Sequence, residues 1–148
     1  MPTVRGCEFP DDLYYLVDTH VWLRPSPDGL VKVGLPPIGF KLLRNSLVAI
    51  SIRTAAIGQE VPKGKSVAMV ESVKYIGPLA APLTGVLVRG NDRVTQDPDL
   101  AVNDPYGEGW IAEMRPADWE SARSDLLTGA EALEAIRQFM ESQGLSCE

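Results

Sequence analysis

One lysine stands out among the residues whose type and surroundings could support covalent chemistry. Lys74 follows a polar pair, Glu71 and Ser72, which interrupts the β-rich run of residues 66–70, and a second β-rich run begins at Tyr75. The pattern predicts a turn between two strands, with the ammonium group of Lys74 in solvent. A free lysine has a pKa of about 10.4, so acylation at neutral pH has to be driven by an enzyme. Amide formation would remove the charge and leave a long, mobile arm.

The other reactive residue types are too sparse to build an active site. His20 is the single histidine, which disfavours a histidine metal site or a catalytic triad, so we expect no catalytic residue and no metal. His20 itself is expected to be a packed or hydrogen-bonded strand residue. Cys7 and Cys147 lie near opposite ends, which is neither a disulfide framework nor a zinc signature. Two reduced thiols are expected, with thiol exchange against a partner's sulfur as the alternative.

Composition and charge set the protein class. The chain has 148 residues, 45% hydrophobic and 23% charged, which suits one soluble domain with one core. No apolar run approaches the roughly 18 residues that span a bilayer, and nothing at the start resembles a signal peptide, so we expect a cytoplasmic protein without a membrane partner. Twenty acidic and fourteen basic residues give a formal charge of −6. This charge disfavours nucleic acid as a partner; it either steers the protein towards basic docking faces or serves solubility.

Short β-rich runs alternate with turn signals through most of the chain. Residues 21–24 and 30–33 flank the turn-forming segment 25–29 and predict a hairpin with a loop longer than two residues. Further strand candidates are residues 47–52, 66–70, 75–76 with 79–81, 86–89 and 110–114. Many short strands over residues 20–115 predict an antiparallel sandwich or barrel rather than a parallel α/β sheet.

The C-terminal part has helical periodicity instead. Thr128 and Glu131 have the spacing of a capping box, in which hydroxyl and carboxylate satisfy free amides at a helix start. We therefore predict a helix over residues 129–143, with a shorter one around residues 117–127 before it. The apolar face of the longer helix, which we expect to pack on the β core, consists of Leu133, Ile136 and Met140, with Phe139 beside it.

Two spaced motifs resemble those of a known family. Residues 71–74, Glu-Ser-Val-Lys, resemble the lipoylation motif of the H protein of the glycine cleavage system, and residues 104–110, Asp-Pro-Tyr-Gly-Glu-Gly-Trp, are similar to its Asp-Pro-Tyr-Gly-x-Gly-Trp signature. The resemblance covers residues 15–116. Weaker agreements with the same family lie at His20, Trp22, Gly34, Pro82, Gly85, Asn91, Pro98 and Leu100.

The resemblance implies both a fold and a cofactor. The implied fold is mainly β, a barrel-sandwich hybrid or hammerhead of two small antiparallel sheets with flanking C-terminal helices. It would form one domain over residues 1–148, with a β core over 15–116 and a helical segment over 117–143. The implied protein is a carrier rather than an enzyme, with lipoate attached covalently to Lys74 by a lipoate ligase or lipoyl transferase. Glu71 and Ser72 would be recognised by that ligase or would only form the turn.

Several residues near the predicted site depart from the family pattern. Val21 replaces the usual Glu, residues 75–78 read Tyr-Ile-Gly-Pro, and residues 35–43 are poor in acidic residues. The opening segment 6–15, the Tyr-Ile-Gly-Pro run after Lys74 and a C-terminal helix that ends near Cys147 form a pattern. The pattern resembles H-like lipoate-binding proteins of sulfur-oxidising bacteria and archaea, which carry sulfur or electrons for a heterodisulfide-reductase-like complex. We predict this branch. The alternative is glycine cleavage, in which the chain would carry an aminomethyl group between the P, T and L proteins. A second alternative is an unlipoylated structural or interaction module.

Overall fold

Two larger antiparallel sheets, a short terminal hairpin and several helices make up the described part of the chain. This computed structural model covers residues 2–42, 47–73 and 75–147. The strands are β1 (Thr3–Val4), β2 (Cys7–Glu8), β3 (Tyr14–Leu16), β4 (Val21–Pro25), β5 (Val31–Gly34), β6 (Leu47–Ile52), β7 (Glu60–Val61), β8 (Ser66–Ser72), β9 (Ile76–Ala80), β10 (Gly85–Gly90), β11 (Ala112–Pro116) and β12 (Leu127–Thr128). The helices are α1 (Pro37–Leu42), α2 (Asp92–Gln96), α3 (Asp99–Asn103), α4 (Trp119–Arg123) and α5 (Gly129–Gln143). None of these helices is long and apolar enough to cross a membrane.

The larger sheet, which we call the principal sheet, contains seven strands in the order β12-β3-β4-β5-β11-β10-β7. All of its neighbouring strands are antiparallel. The predicted hairpin forms β4 and β5, and its loop is closed by a hydrogen bond from the Ser26 amide to the Leu30 carbonyl. The smaller sheet has the order β6-β8-β9. The predicted fold class, mainly β of the barrel-sandwich type with C-terminal helices, is confirmed.

The two sheets share one apolar core. Alternating residues of β4, β5, β10 and β11 face alternating residues of the smaller sheet, as the period of two in strands requires. The buried side chains include Leu23, Val33, Leu87 and Met114 from the principal sheet and Ile50, Val67, Val70 and Leu79 from the smaller one. Each such side chain contributes about 1.5–3 kcal/mol on burial. This core anchors β8 and β9, the strands on either side of the predicted site.

A second core, which we call the outer core, covers part of the other face of the principal sheet, its outer face. Tyr15 and Trp22 project there and are buried by α5, through Ile136 and Met140. The expectation that the apolar face of the C-terminal helix packs on the β core is therefore confirmed. The hydroxyl of Tyr106 donates to the carbonyl of Glu8 at 2.7 Å, which ties the N-terminal hairpin β1–β2 to the same cluster.

The C-terminal helix begins at the predicted residue, but it lacks the predicted side-chain cap. The predicted capping box is wrong, because the Thr128 hydroxyl donates to the Leu13 carbonyl at 2.6 Å and makes no capping bond to the helix. The reason is that Thr128 belongs to β12, which pairs with β3. These two strands extend the sheet beyond the predicted β region of residues 20–115. Within the predicted helical span 117–127, helix is limited to α4.

A disulfide bond joins the two ends of the chain. Cys7 in β2 is bonded to Cys147, 140 residues away in sequence. Next to it, the Cys147 amide donates to the Arg5 carbonyl at 2.9 Å and the Arg5 guanidinium donates to the Leu145 carbonyl at 2.7 Å. The expectation of two reduced thiols is wrong. The cysteines meet because the N-terminal hairpin and α5 both pack on the outer core, which spacing along the chain does not reveal.

Replacement of both cysteines, Cys7→Ser with Cys147→Ser, should lower the free energy of unfolding by about 2–4 kcal/mol, because the closed loop restricts the unfolded chain. Urea unfolding with and without dithiothreitol measures the effect. The reductant should destabilise the parent protein and leave the double variant unchanged. Equal urea midpoints for parent and variant under oxidising conditions would contradict the stabilising role of the bond.

Candidate functional site

The predicted attachment site lies in the hairpin formed by β8 and β9. The strands pair in register, with Glu71 opposite Ile76. The Ser72 amide then donates to the Tyr75 carbonyl at 2.7 Å, so only Val73 and Lys74 lie between the last paired residues. Lys74 itself lies outside the described residues. The loop that contains it is therefore two residues long and closed by a backbone hydrogen bond, as is common in tight hairpins.

The side chain of Ser72 reinforces this turn. Its oxygen accepts a hydrogen bond from the Tyr75 amide at 3.0 Å and its hydroxyl donates to the Tyr75 carbonyl at 3.3 Å. Ser72 is also buried, with 4% of its surface exposed. The side chain of Glu71, in contrast, is exposed and forms no ion pair with a described residue. The turn thus employs the hydroxyl of Ser72 and leaves the carboxylate of Glu71 available to a binding partner.

Exposed apolar side chains surround the end of the hairpin. Val73 is 74% exposed, Tyr75 53% and Ile76 66%, and Val48 of the neighbouring strand β6 is 52% exposed. We call these four residues the apolar tip. Regular alternation would place Val48 on the same face as the buried Ile50, so the sequence does not predict its exposure. A register shift between Leu47 and Ala49 in the pairing with β8 leaves Val48 as the extra residue of a bulge, and its side chain is exposed. A long, mostly apolar arm attached here would have apolar surface on both sides of its anchor, so the residues present fit lipoate.

A cavity of about 180 Å³ lies beside the base of the hairpin. Its walls come from the 3₁₀ turn before β4, from α1 and from strands β8 and β9, and they are apolar except at Thr19 and His20. The ring of His20 packs against that of Phe139, with centroids 4.6 Å apart and planes tilted by 49°. Burial lowers the pKa of His20, although the charge of Asp18 opposes that shift, so the imidazole is neutral at pH 7.

The backbone of His20 departs from the sequence prediction. The residue has φ of 59° and ends the 3₁₀ turn that precedes β4, so it is not part of a strand. The left-handed conformation redirects the chain into β4, and the expected packing of the side chain is present in its contact with Phe139. Within the described ranges, no group of three or more His, Cys, Asp and Glu residues could hold a metal ion.

The second motif, residues 104–110, has a structural role rather than a chemical one. The Asp104 carboxylate accepts from the Glu108 amide at 2.9 Å, and the Asp104 carbonyl accepts from the Gly109 amide at 2.9 Å. Asn91 is buried and donates to the carbonyls of Glu108 and Trp110 at 2.8 and 2.7 Å. The motif therefore connects the end of β10 to the start of β11. Its residues support the principal sheet and do not belong to the hairpin that carries the predicted site.

Comparison with known proteins identifies the family. The family model for the glycine cleavage H-protein matches residues 13–139. Glycine cleavage system H protein 2 of Aquifex aeolicus (strain VF5) is 41% identical over 143 residues, which cover 97% of this chain and 87% of the relative. The probable glycine cleavage system H protein 2 of Sulfolobus acidocaldarius is 33% identical over 100% of this chain and 98% of its own length.

Comparison with a solved structure also indicates the glycine cleavage H-protein family. The crystal structure of a glycine cleavage system H protein from Mycobacterium marinum superposes with a TM-score of 0.71 at 31% identity, covering 93% of this chain and all of that one. H proteins carry lipoate covalently on a lysine, have no catalytic activity of their own, and work with the P, T and L proteins and a lipoyl ligase. The family-model match, the sandwich fold and the shared motifs together show that the chain belongs to the glycine cleavage H-protein family.

Proposed function

We propose that this chain is a lipoyl carrier in which lipoate forms an amide with Lys74. The hairpin loop supports the proposal. Val73 and Lys74 are the two residues between Ser72 and Tyr75, whose backbone and side-chain hydrogen bonds close the loop. A short loop on two anchored strands offers a modifying ligase a rigid base, and its neighbours in the apolar tip are exposed.

The chain itself contributes position and docking, and the cofactor contributes the reactive atoms. Lipoate, when bound, supplies a strained disulfide that exchanges with thiolates and can accept a transferred group. Ser72 holds the turn, and the apolar tip and the Glu71 carboxylate face solvent, where they can contact an approaching enzyme. Tethering the cofactor also replaces free diffusion by a high effective concentration at the active site of the partner.

For the pathway, we propose glycine cleavage first, with the chain carrying an aminomethyl group between the P, T and L proteins. The family match and the names of the relatives support this assignment. The predicted sulfur-oxidation role with a heterodisulfide-reductase-like complex stays a second candidate. Three H proteins of one Aquifex aeolicus strain, numbered 2, 5 and 3, match this chain. One glycine cleavage pathway requires one carrier, so this multiplicity favours keeping a second pathway as a candidate. The complete Glu-Ser-x-Lys motif counts against an unlipoylated module.

Replacement of the predicted attachment residue should abolish modification. After co-expression with lipoate ligase, intact-protein mass spectrometry should show one lipoyl adduct on the parent protein and none on Lys74→Arg. The matched control is Lys65→Arg, which alters the exposed turn lysine at the other end of β8 and should leave the adduct in place. A lipoyl adduct on Lys74→Arg would contradict the assignment.

Ser72 and Glu71 should respond differently to substitution. Ser72→Ala should lower the free energy of unfolding by about 1 kcal/mol and slow lipoylation at least about tenfold, because the loop loses its fixed geometry. Glu71→Gln should leave stability within about 0.5 kcal/mol of the parent and raise the KM of the ligase for this carrier. Urea unfolding and timed mass spectrometry measure both effects. An unchanged lipoylation rate in Ser72→Ala would show that the ligase does not depend on the geometry of the turn.

A direct assay separates the two pathways. The lipoylated chain should stimulate glycine–bicarbonate exchange by the P protein, with unlipoylated Lys74→Arg as the inactive control. No stimulation, combined with rapid redox exchange of the lipoylated chain with a heterodisulfide-reductase-like complex, would overturn the glycine cleavage assignment and favour the sulfur-oxidation candidate.

A further inference from the structure

A row of cations crosses the outer face of the principal sheet. Arg24 of β4 is paired with Lys32 of β5, Lys32 with Glu113 of β11, and Glu113 with Arg89 of β10. Residues paired across antiparallel strands project from the same face, so these four side chains form one line across four strands. Arg115, two residues beyond Glu113, lies on the same face in the next line. We call the residues Arg24, Lys32, Arg89 and Arg115 the basic face.

The basic face contains an arrangement that opposes folding. Arg24 and Lys32 are direct cross-strand partners, which brings their β carbons within about 5 Å and makes two like charges repel. Two carboxylates lie on this face. Glu113 is buried and bound to Arg89 at 2.7 Å, and Glu60 lies at the sheet edge, where it pairs with Val86. Lys32 also has Glu113 as a direct cross-strand partner, which partly offsets the repulsion on its side, whereas Lys32 is the sole cross-strand partner of Arg24 among the described pairs.

Several cations elsewhere in the described part of the chain form ion pairs, whereas three on this face do not. Lys63, Arg93, Arg123 and Arg137 all have a carboxylate partner within 4.0 Å. Among the described residues, no carboxylate lies that close to Arg24, Lys32 or Arg115. A protein with a formal charge of −6 has ample acidic groups to neutralise them. Arg53 and Lys65 also have no ion-pair partner among the described residues, but they lie outside the strands of this face, so what distinguishes the basic face is that three such cations share it.

Aromatic rings hold these cations in place. The Lys32 ammonium and the Arg89 guanidinium each lie 5.3 Å from the ring centre of Trp110, and the Arg24 guanidinium lies 5.3 Å from that of Trp22. Cation–π attraction at this distance limits side-chain motion. Cations that are already ordered lose less conformational entropy when they bind an anionic group.

We propose that the basic face is a docking surface for a carboxylate-rich surface of a partner protein, an inference that rests on the proposed carrier function. Arginine recognises carboxylates through paired N–H donors, and an acidic partner would remove the repulsion between Arg24 and Lys32. The net negative charge of the chain repels a nucleic acid backbone at long range, which favours a local protein surface as the occupant. Docking here would orient the carrier while the separate hairpin presents its lysine.

A hexaglutamate peptide tests the surface without assuming a pathway. In low salt it should produce a saturable shift of the Trp110 indole N–H signal, with little change at Trp119, which packs on Tyr14 away from the cations. Arg24→Gln with Lys32→Gln should weaken peptide binding at least about fivefold. The melting temperature of this variant should stay close to that of the parent, because the loss of two cation–π contacts is offset by removal of a like-charge pair.

The matched control is Arg53→Gln with Lys65→Gln, which makes the same change in net charge at two cations without ion-pair partners among the described residues. It should bind hexaglutamate nearly as well as the parent. Equal weakening in both double variants would overturn the proposal, because it would reveal a general charge effect. Tighter binding of an oligothymidylate than of hexaglutamate would overturn it in favour of nucleic acid.

Partner enzymes supply the functional readout. With lipoylated carrier, Arg24→Gln with Lys32→Gln should raise the KM of at least one of the P, T and L proteins severalfold with little change in kcat, and the difference should vanish at about 0.5 M salt. Mass spectrometry verifies equal lipoylation beforehand. If the lipoylated parent is inactive with all three enzymes, the glycine cleavage assignment is contradicted. The peptide titration tests the basic face independently of that result. An unchanged KM for every enzyme that accepts the parent would overturn the docking role.

Discussion

Burial of the inner faces of the two sheets against each other is the constraint on which the rest of the structure depends. Val67 and Val70 of β8 and Leu79 of β9 enter this core and fix the base of the hairpin. Beyond Val70 the same strand leaves the core, so alternation exposes Glu71 and brings Ser72 back to hold the turn. A rigid base and an exposed tip follow from one pattern of buried side chains. That combination suits a carrier, which has to offer one group to several enzymes without rearranging its fold.

The outer face of the principal sheet is divided between packing and charge. Tyr15 and Trp22 are covered by α5 and by the N-terminal hairpin, which the Cys7–Cys147 bond ties to the end of the chain. Two residues further along β4, the cover ends and Arg24 begins the basic face. Trp22 takes part in both regions, since it is buried in the outer core and lies next to the Arg24 guanidinium. The formal charge of −6 therefore describes the whole chain but not this surface.

Sequence patterns predicted the strands well where alternation was clear. Residues 47–52 form β6 with the predicted bounds, and the predicted strands over 66–70 and 86–89 lie within β8 and β10. The helices α1, α2 and α3 were not predicted, because five or six residues show too little of a helical period and lie near prolines. The strands β3 and β12 were missed for a related reason. They are two or three residues long, and their pairing depends on where the distant end of the chain packs.

The sequence by itself determined the fold class, the C-terminal helix and the family, because repeated alternation, a long helical period and two spaced motifs are local and redundant signals. It also singled out Lys74, and the ends of the described hairpin are consistent with a tight loop around it. Only the tertiary structure decided that Cys7 and Cys147 are bonded, that Thr128 binds Leu13 rather than its own helix, and that Lys32 and Arg89 both lie beside Trp110. These contacts join residues far apart in sequence, so they depend on strand register and packing direction, which no local pattern contains.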